Sequence, residues 1–499
     1  MIKDESRKYV IDNCILVIFA FIINYIYGSI GVLSQDTFAY FDTGYRVLHG
    51  SIPFVDYWTV SGPFIDFFQA SLFYIFGVSW KSYILSGSLV NILITLLFYN
   101  VLREYKLPRK TNLFYCLSFS ILANPSMGVP FPDHFSSFFS LGAILLFLIL
   151  IKKKKNFYWV VIPILFFIAF FSKQTPAAYL LLSYLIILTF YVFLYKKIFF
   201  IKYFILSSLL CSSMFIIFLY INNISFENFI FQYISFPKTI GEARIENYKF
   251  NTSSVLNDFK FIYFVLLFVL MNIFFQLKKK IVKVEKDKFL INLILILISF
   301  SFIYHQILTM NFIYIFFLIP LVAGLTHVSY LKNKKIHSFL GILLILTTIF
   351  TTAKYHYRFN ENRKMLNLEK VDLNIAIDSL EIDARLKGLK WITKNYSKNP
   401  VREIEILKEI IKKIKDDKNK VMLYSHYLFL SAIIGEDLSN PTRWPSQADA
   451  SNPSNENEYH PIYLNFVKNL VKKKNIAIVY STIEEKYDIF NVIFDEKCR

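Results

Sequence analysis

The sequence predicts a polytopic α-helical membrane protein of about eleven transmembrane helices, with a small α/β C-terminal extracytoplasmic domain. Three observations predict it: an excess of apolar residues, their grouping into runs of bilayer length, and lysines confined to alternate connections. The chain has 499 residues, of which 55% are hydrophobic and 18% aromatic, whereas soluble domains sit at roughly 45–50% apolar. The excess has to face lipid. The runs are long enough for helices across a hydrocarbon core of about 30 Å, and lipid offers an open backbone no hydrogen bonds, so helices are the elements these lengths allow.

Spans are expected over residues 11–28, 83–103, 112–125, 134–151, 158–171, 177–195, 203–221, 261–276, 289–308, 312–331 and 338–353. The first apolar run has no small-residue cleavage site before Gln35 and reads as a retained anchor. With the N-terminus cytoplasmic, the inner connections carry 23 Lys and Arg and the outer ones seven, which fixes that orientation. The same alternation explains the net charge of +19 without nucleic acid, because the cations are interleaved with spans and do not line one face. Membrane lipids are partners on this reading, and a bacterial plasma membrane is the expected location.

Residues 1–353 are thus expected to form the membrane module and 354–499 a water-facing domain on the outer side. The first outer loop, about 30–80, mixes acids with aromatics, and its second half is apolar but too short to cross. Two helices lying along the membrane surface are expected there. In the C-terminal stretch, charged helical patterns cover 372–395 and 401–415, and apolar strand candidates lie at 421–424 and 476–480 around a helical 461–472. Four cysteines are too few for a disulfide framework, and three of them fall in expected spans. No P-loop, dinucleotide, HExxH or CxxC pattern occurs, which argues against a nucleotide-driven pump or a zinc hydrolase.

The densest chemistry is Asp36-Thr-Phe-Ala-Tyr40-Phe-Asp42, followed by Arg46, a Gly50-Ser-Ile-Pro53 turn, Asp56-Tyr-Trp58 and Gly62-Pro63. A carboxylate at a lipid–water boundary can accept a proton from a hydroxyl or bind a metal ion. In the bland reading Asp36 is a helix cap and Asp42 a solvated charge. Two other outer connections hold ionisable residues: Phe131-Pro-Asp133-His134, where Asp133 either caps a helix or acts, and Ser172-Lys173-Gln174-Thr-Pro176. Lys173 runs against the topological preference for inner cations and needs an anion, either a lipid headgroup or a substrate phosphate. His305 and His327, within apolar helices, read as packing residues, with cavity lining open to His305.

The pattern over Asp36–Tyr105 resembles the first outer loop of GT-C glycosyltransferases, the nearest being bacterial lipid A aminoarabinose transferases and protein O-mannosyltransferases. The resemblance implies a GT-C-like fold and transfer of a sugar from a polyprenyl-phosphate donor to a hydroxyl of a lipid, glycan or protein acceptor. It maps the catalytic aspartate onto Asp36 and a second acid onto Asp133. The family commonly places an acid after the first aspartate, where this chain has Thr37. Tyr40, Asp42, Arg46, Asp56, His134, Lys173, Gln174 and Arg244 become substrate-binding candidates, with Lys173 or Arg244 on the phosphate, and a divalent cation is allowed as cofactor. A transporter or flippase of lipid-linked sugars is the alternative, although ion-coupled carriers concentrate acids at mid-membrane and these spans hold few.

Overall fold

A computed structural model describes residues 2–33, 35–125, 127–196, 198, 200–247, 252–278, 286–309, 315–330, 336–445 and 449–482. Most of the basic stretches 278–288 and 332–335 lie outside them. The chain divides into two compact units.

The first unit, Met1–Gly28, Ile84–Met214 and Tyr248–Glu369, is helical. A helix coincides with each expected span: Ile2–Gly28, Trp80–Glu104, Arg109–Ala123, Pro132–Lys153, Phe157–Phe170, Gln174–Tyr195, Ile201–Ile221, Lys260–Lys278, Lys286–Thr309, Leu318–Tyr330 and Ile336–His356. Seven apolar helices among the described residues are long enough to cross a bilayer. Their burial differs in a way that sorts centre from rim. Pro132–Lys153 is buried along its whole apolar length, whereas only 17% of the apolar window of Ile201–Ile221 is buried. Ile205, Leu206, Leu209, Met214 and Ile217 are exposed on that outer helix, as are Ile11, Ile15, Ile18 and Ile22 on the first. Apolar faces this extensive are stable only against lipid. The protein is membrane-embedded.

Polar contacts fix the direction of each helix. At one end of the bundle Lys153 Nζ lies 2.9 Å from Glu104, joining the C-termini of Trp80–Glu104 and Pro132–Lys153. Asp287, at the start of Lys286–Thr309, binds Lys152 and Tyr195, so the end of Gln174–Tyr195 is there too. Arg109 pairs with Asp12 at 2.6 Å, and Arg103 covers the Tyr9 ring at 3.8 Å. Ser207 donates to the Val160 carbonyl at 2.7 Å, and Asn272 to Asn292 at 3.0 Å, placing the start of Ile201–Ile221 and the end of Lys260–Lys278 at the same end. At the opposite end Tyr27 meets His356 at 2.8 Å, and the Phe316 and Tyr355 rings stack with centroids 3.6 Å apart. Successive helices therefore alternate in direction. The 124–131 connection tucks into this end, where Asn24 Nδ2 donates to the Gly128 carbonyl at 2.8 Å.

The second unit gathers Ser29–Tyr83, Phe215–Asn247 and Lys370–Arg499. The first outer loop does contain two helices, Ala39–Leu48 and Phe64–Phe76, packed on each other. Their aromatic side chains share a core with C-terminal residues: Phe38 touches Trp80, Trp391 and Phe429, with ring centroids 5.5, 5.8 and 4.5 Å away. Backbone pairing adds to it, since Gly31 N donates to Lys390 O at 3.0 Å and Trp58 N to Pro441 O at 2.7 Å. The strands Val421–Tyr424 and Ile478–Ser481 pair in parallel, Val421 opposite Ile478, and the helix His460–Lys474 lies between them in sequence. The expected helix over 372–395 is absent. Short 3₁₀ turns and a two-residue antiparallel pair, Ile377–Asp378 with Lys390–Trp391, stand in its place. Asp372, Asp378 and Asp383 each accept the backbone N–H two residues on, at 2.9–3.0 Å, and these local bonds compete with the helical ladder.

Candidate functional site

Three helix ends of the first unit bring together an ion cluster of Asp133, Lys173 and His305. Asp133 is the second residue of Pro132–Lys153, a helix started by proline at its first position, where the missing N–H costs nothing. The Asp133 carboxylate accepts from Lys173 Nζ at 2.7 Å with one oxygen and meets His305 Nε2 at 2.8 Å with the other. Lys173 is extended (φ −159°, ψ 139°) immediately before Gln174–Tyr195. Ser136, one turn beyond Asp133, donates to the Lys173 carbonyl at 3.0 Å, so the same helix turn grips both ends of the lysine. His305 stands near the end of Lys286–Thr309.

The Asp133 and His305 side chains are 3% and 1% exposed and Lys173 23%, so the ammonium is the member a ligand can reach. The cluster sits at the end of the bundle opposite Lys153 and Glu104. An ammonium already balanced by a buried carboxylate can exchange that partner for an incoming anion, while the imidazole keeps the carboxylate in place. The donors do not suit a divalent cation: one carboxylate whose two oxygens are already engaged, one of them by an ammonium, leaves too few oxygen ligands. Among the described residues no group of three or more His, Cys, Asp or Glu side chains forms a metal site. His134 is buried beside the cluster in sequence, with its ring stacked on Phe138 at 5.8 Å. Gln174 is half-buried and is followed by a cis Thr175–Pro176 peptide.

The remaining candidates belong to the second unit. Asp36 lies half-buried in the turn preceding Ala39–Leu48. Tyr40, Asp42, Arg46 and Asp56 are wired into a buried polar network. Arg46 is 2.8 Å from Asp437 and 3.8 Å from Asp42, and donates to the carbonyls of Asn440 and Asp56 at 2.8 and 3.1 Å. Burial pushes the Asp42 carboxyl up to about 7 against the pull of Arg46. Burial also raises Asp437, but Arg46 and Ser51 outweigh it and hold that carboxyl below the usual range. Asp56 accepts from Ile52 N at 2.9 Å and from Lys473 at 2.9 Å. Tyr40 meets Ser61 at 3.0 Å under the Arg443 guanidinium, 4.5 Å from its ring. Arg443 is fully buried and paired with Asp66 at 2.5 Å; Asp66 also accepts from Thr43 at 2.5 Å and Tyr57 at 3.0 Å. Arg244 is half-buried on Phe236–Asn247.

The sequence therefore marked Asp133 and Lys173 separately and the structure joins them. It gave His305 only a packing or lining role, and nothing in a lone histidine on an apolar helix reveals a partner 172 residues away. Arg443 stands in an Asn440-Pro-Thr-Arg443-Trp444-Pro stretch that reads as a structural turn, or as a loop whose Arg and Trp stack on sugar; its burial against Asp66 has no local signal. Comparison with protein-family models and with curated proteins finds no match to this chain.

Proposed function

We propose that this chain is a membrane glycosyltransferase that moves a sugar from a polyprenyl-phosphate donor to an acceptor hydroxyl on the extracytoplasmic face. The observation that carries the reading is the Asp133–Lys173 contact. Two residues chosen from separate connections, one as an acid and one as a phosphate ligand, meet at one end of the bundle with a partly open ammonium. Eleven crossings with a cytoplasmic N-terminus put that end outside. The helix directions support the count: Glu104 and Lys153 are in contact, so the chain has to return through Arg109–Ala123 between them. By the same reasoning Phe157–Phe170 and Lys260–Lys278 are crossings. The resulting inner connections are the lysine-rich ones.

In the proposed reaction the acceptor oxygen attacks the anomeric carbon as its proton passes to a carboxylate, which the family resemblance maps onto Asp36. The carbon–oxygen bond to the polyprenyl phosphate breaks, and the electron pair leaves on a phosphate oxygen. The family resemblance assigns that phosphate to a cation, Lys173 or Arg244, and the in-line displacement inverts the anomeric centre. Asp133 is the resting counterion of Lys173 and, once displaced, stays anchored to His305.

The test supplies membranes containing wild type or Asp36→Asn with labelled polyprenyl-phosphate sugars. Transfer by wild type and a loss of about 100-fold or more in the variant, at equal expression, is the expected result. Unchanged transfer by the variant removes Asp36 from the chemistry. No transfer by wild type, with labelled lipid crossing the bilayer, leaves a carrier, for which a buried carboxylate–imidazole pair would be the proton-binding group.

A further inference from the structure

At the same end of the bundle, the helices Lys260–Lys278 and Ile336–His356 are joined by the Phe261 and Phe350 rings, 5.6 Å apart. Two ammonium groups lie over them, and the Arg358 guanidinium lies over the Phe359 ring at 5.3 Å. Lys354 Nζ lies over Phe261 at 4.7 Å, Lys260 Nζ over the same ring at 5.8 Å, and Arg358 is close enough for its charge to act on Lys354, as does that of Lys260. No described Asp or Glu forms an ion pair with any of the three. One carboxylate, Asp258, lies within reach of Tyr355. The group keeps a net positive charge.

We propose that Lys260, Lys354 and Arg358 bind the phosphate of a lipid lying in the leaflet at this end of the bundle. Like charges this close repel, and two ammonium groups over one aromatic face recover only part of that cost. A shared anion recovers the rest. Phosphate suits the place: a guanidinium offers paired donors and the ammonium groups add point charges. The apolar surface below the cations fits a lipid tail. Leu267 on one helix and Leu346 and Phe350 on the other are exposed by 53%, 56% and 55%, in line with the cations and directed at lipid. The placement also opposes the topological rule, since basic residues at outer helix ends are disfavoured unless something holds them. This proposal rests on the membrane orientation given above and is independent of sugar transfer.

The experiment is native mass spectrometry of the full chain released from detergent after incubation with three probes: polyprenyl phosphate, phosphatidylglycerol and phosphatidylcholine. Wild type is expected to retain one or both anionic lipids in preference to phosphatidylcholine. Lys260→Gln/Lys354→Gln/Arg358→Gln should lose about tenfold of that retention, a loss on the scale of one charge-assisted contact or more. A Lys260→Arg/Lys354→Arg chain should keep it. Preference for polyprenyl phosphate over phosphatidylglycerol identifies a monoester lipid, and the reverse a phospholipid headgroup. Arg358 is solvent-exposed, so Arg358→Gln folds and provides the same readout if the triple variant does not. Equal retention of all three lipids by wild type, or unchanged retention by the Gln variants, overturns the site.

Discussion

Lys173 Nζ and the Asp133 carboxylate lie 2.7 Å apart, forty residues apart in the chain, with the second oxygen of Asp133 held by His305. Removing Lys173 leaves the buried Asp133 carboxylate with only the His305 imidazole beside it. Lys173→Met should destabilise the folded protein by about 3 kcal/mol, the scale for breaking a buried pair from one side. Lys173→Met/Asp133→Asn should cost clearly less than the two single changes added together. Thermal unfolding of the four proteins in one detergent measures this, and additive losses would show that the pair is not coupled.

Cysteine labelling tests the eleven crossings. Asn156 lies between Pro132–Lys153 and Phe157–Phe170, and Asn399 in the C-terminal stretch of the second unit. With the native cysteines replaced, Asn399→Cys in intact cells should react with a membrane-impermeant maleimide, and Asn156→Cys only after permeabilisation. Labelling of Asn156→Cys from outside would mean that the short helix Arg109–Ala123 does not cross or that the orientation is reversed.

Gly128 has φ +61° and its backbone presses on the first helix. A β-carbon there would stand 2.2 Å from Gly28 N and 2.5 Å from Asn24 O, contacts with backbone that cannot swing aside. Gly128→Ala should therefore cost about 3 kcal/mol or more, combining a left-handed backbone with overpacking. Gly241, in Phe236–Asn247, has nothing within 4 Å of the same position, so Gly241→Ala should be neutral or stabilising by up to about 1 kcal/mol. Fluorescence-detected size exclusion after a temperature series separates the two outcomes; equal behaviour would refute the packing argument.

The second unit should lose stability as pH rises from about 4 to 7. Burial raises Asp42, Asp66 and Glu403 above the usual carboxylate range, despite Arg46, Arg443 and the hydrogen bonds from Trp391, Thr393 and Tyr427. An unfolded carboxyl titrates near 4, roughly its ordinary value, so the folded state holds more protons across this window. Asp437, held low, contributes in the opposite sense, and its share is lost only below that ordinary value. Asp42→Asn should flatten the slope, since burial carries its carboxyl up to about 7. Melting temperatures by tryptophan fluorescence at pH 5 and pH 8 give the answer, and a wild-type protein that melts higher at pH 8 contradicts it.

Much of the helical unit was legible because lipid imposes its rule locally: every crossing has to announce itself in a run of apolar residues. The expected span at 134–151 lies within the observed Pro132–Lys153, and the strand at 421–424 coincides with Val421–Tyr424. What escaped was long-range or turned on a single side-chain bond. The aspartates of 372–383 look helical in charge pattern, yet each closes a turn on its own backbone. Asp66 and Arg443 form a buried pair that joins positions 377 residues apart, which no local periodicity encodes. Of the ion cluster, Asp133 and Lys173 were readable as chemically odd where they stood, but their adjacency depends on three helices packing together.

The second unit is stitched from three stretches of chain with membrane helices between them, and its aromatic core draws Phe38 and Trp391 into one cluster. During synthesis the early stretch has emerged long before its partners exist. Ala39–Leu48, most of whose residues end up buried, has to wait unpaired while the later helices of the first unit are made. The C-terminal stretch, made after those helices, thus decides when the first loop takes its shape, and the waiting loop stays exposed to proteases and chaperones until then.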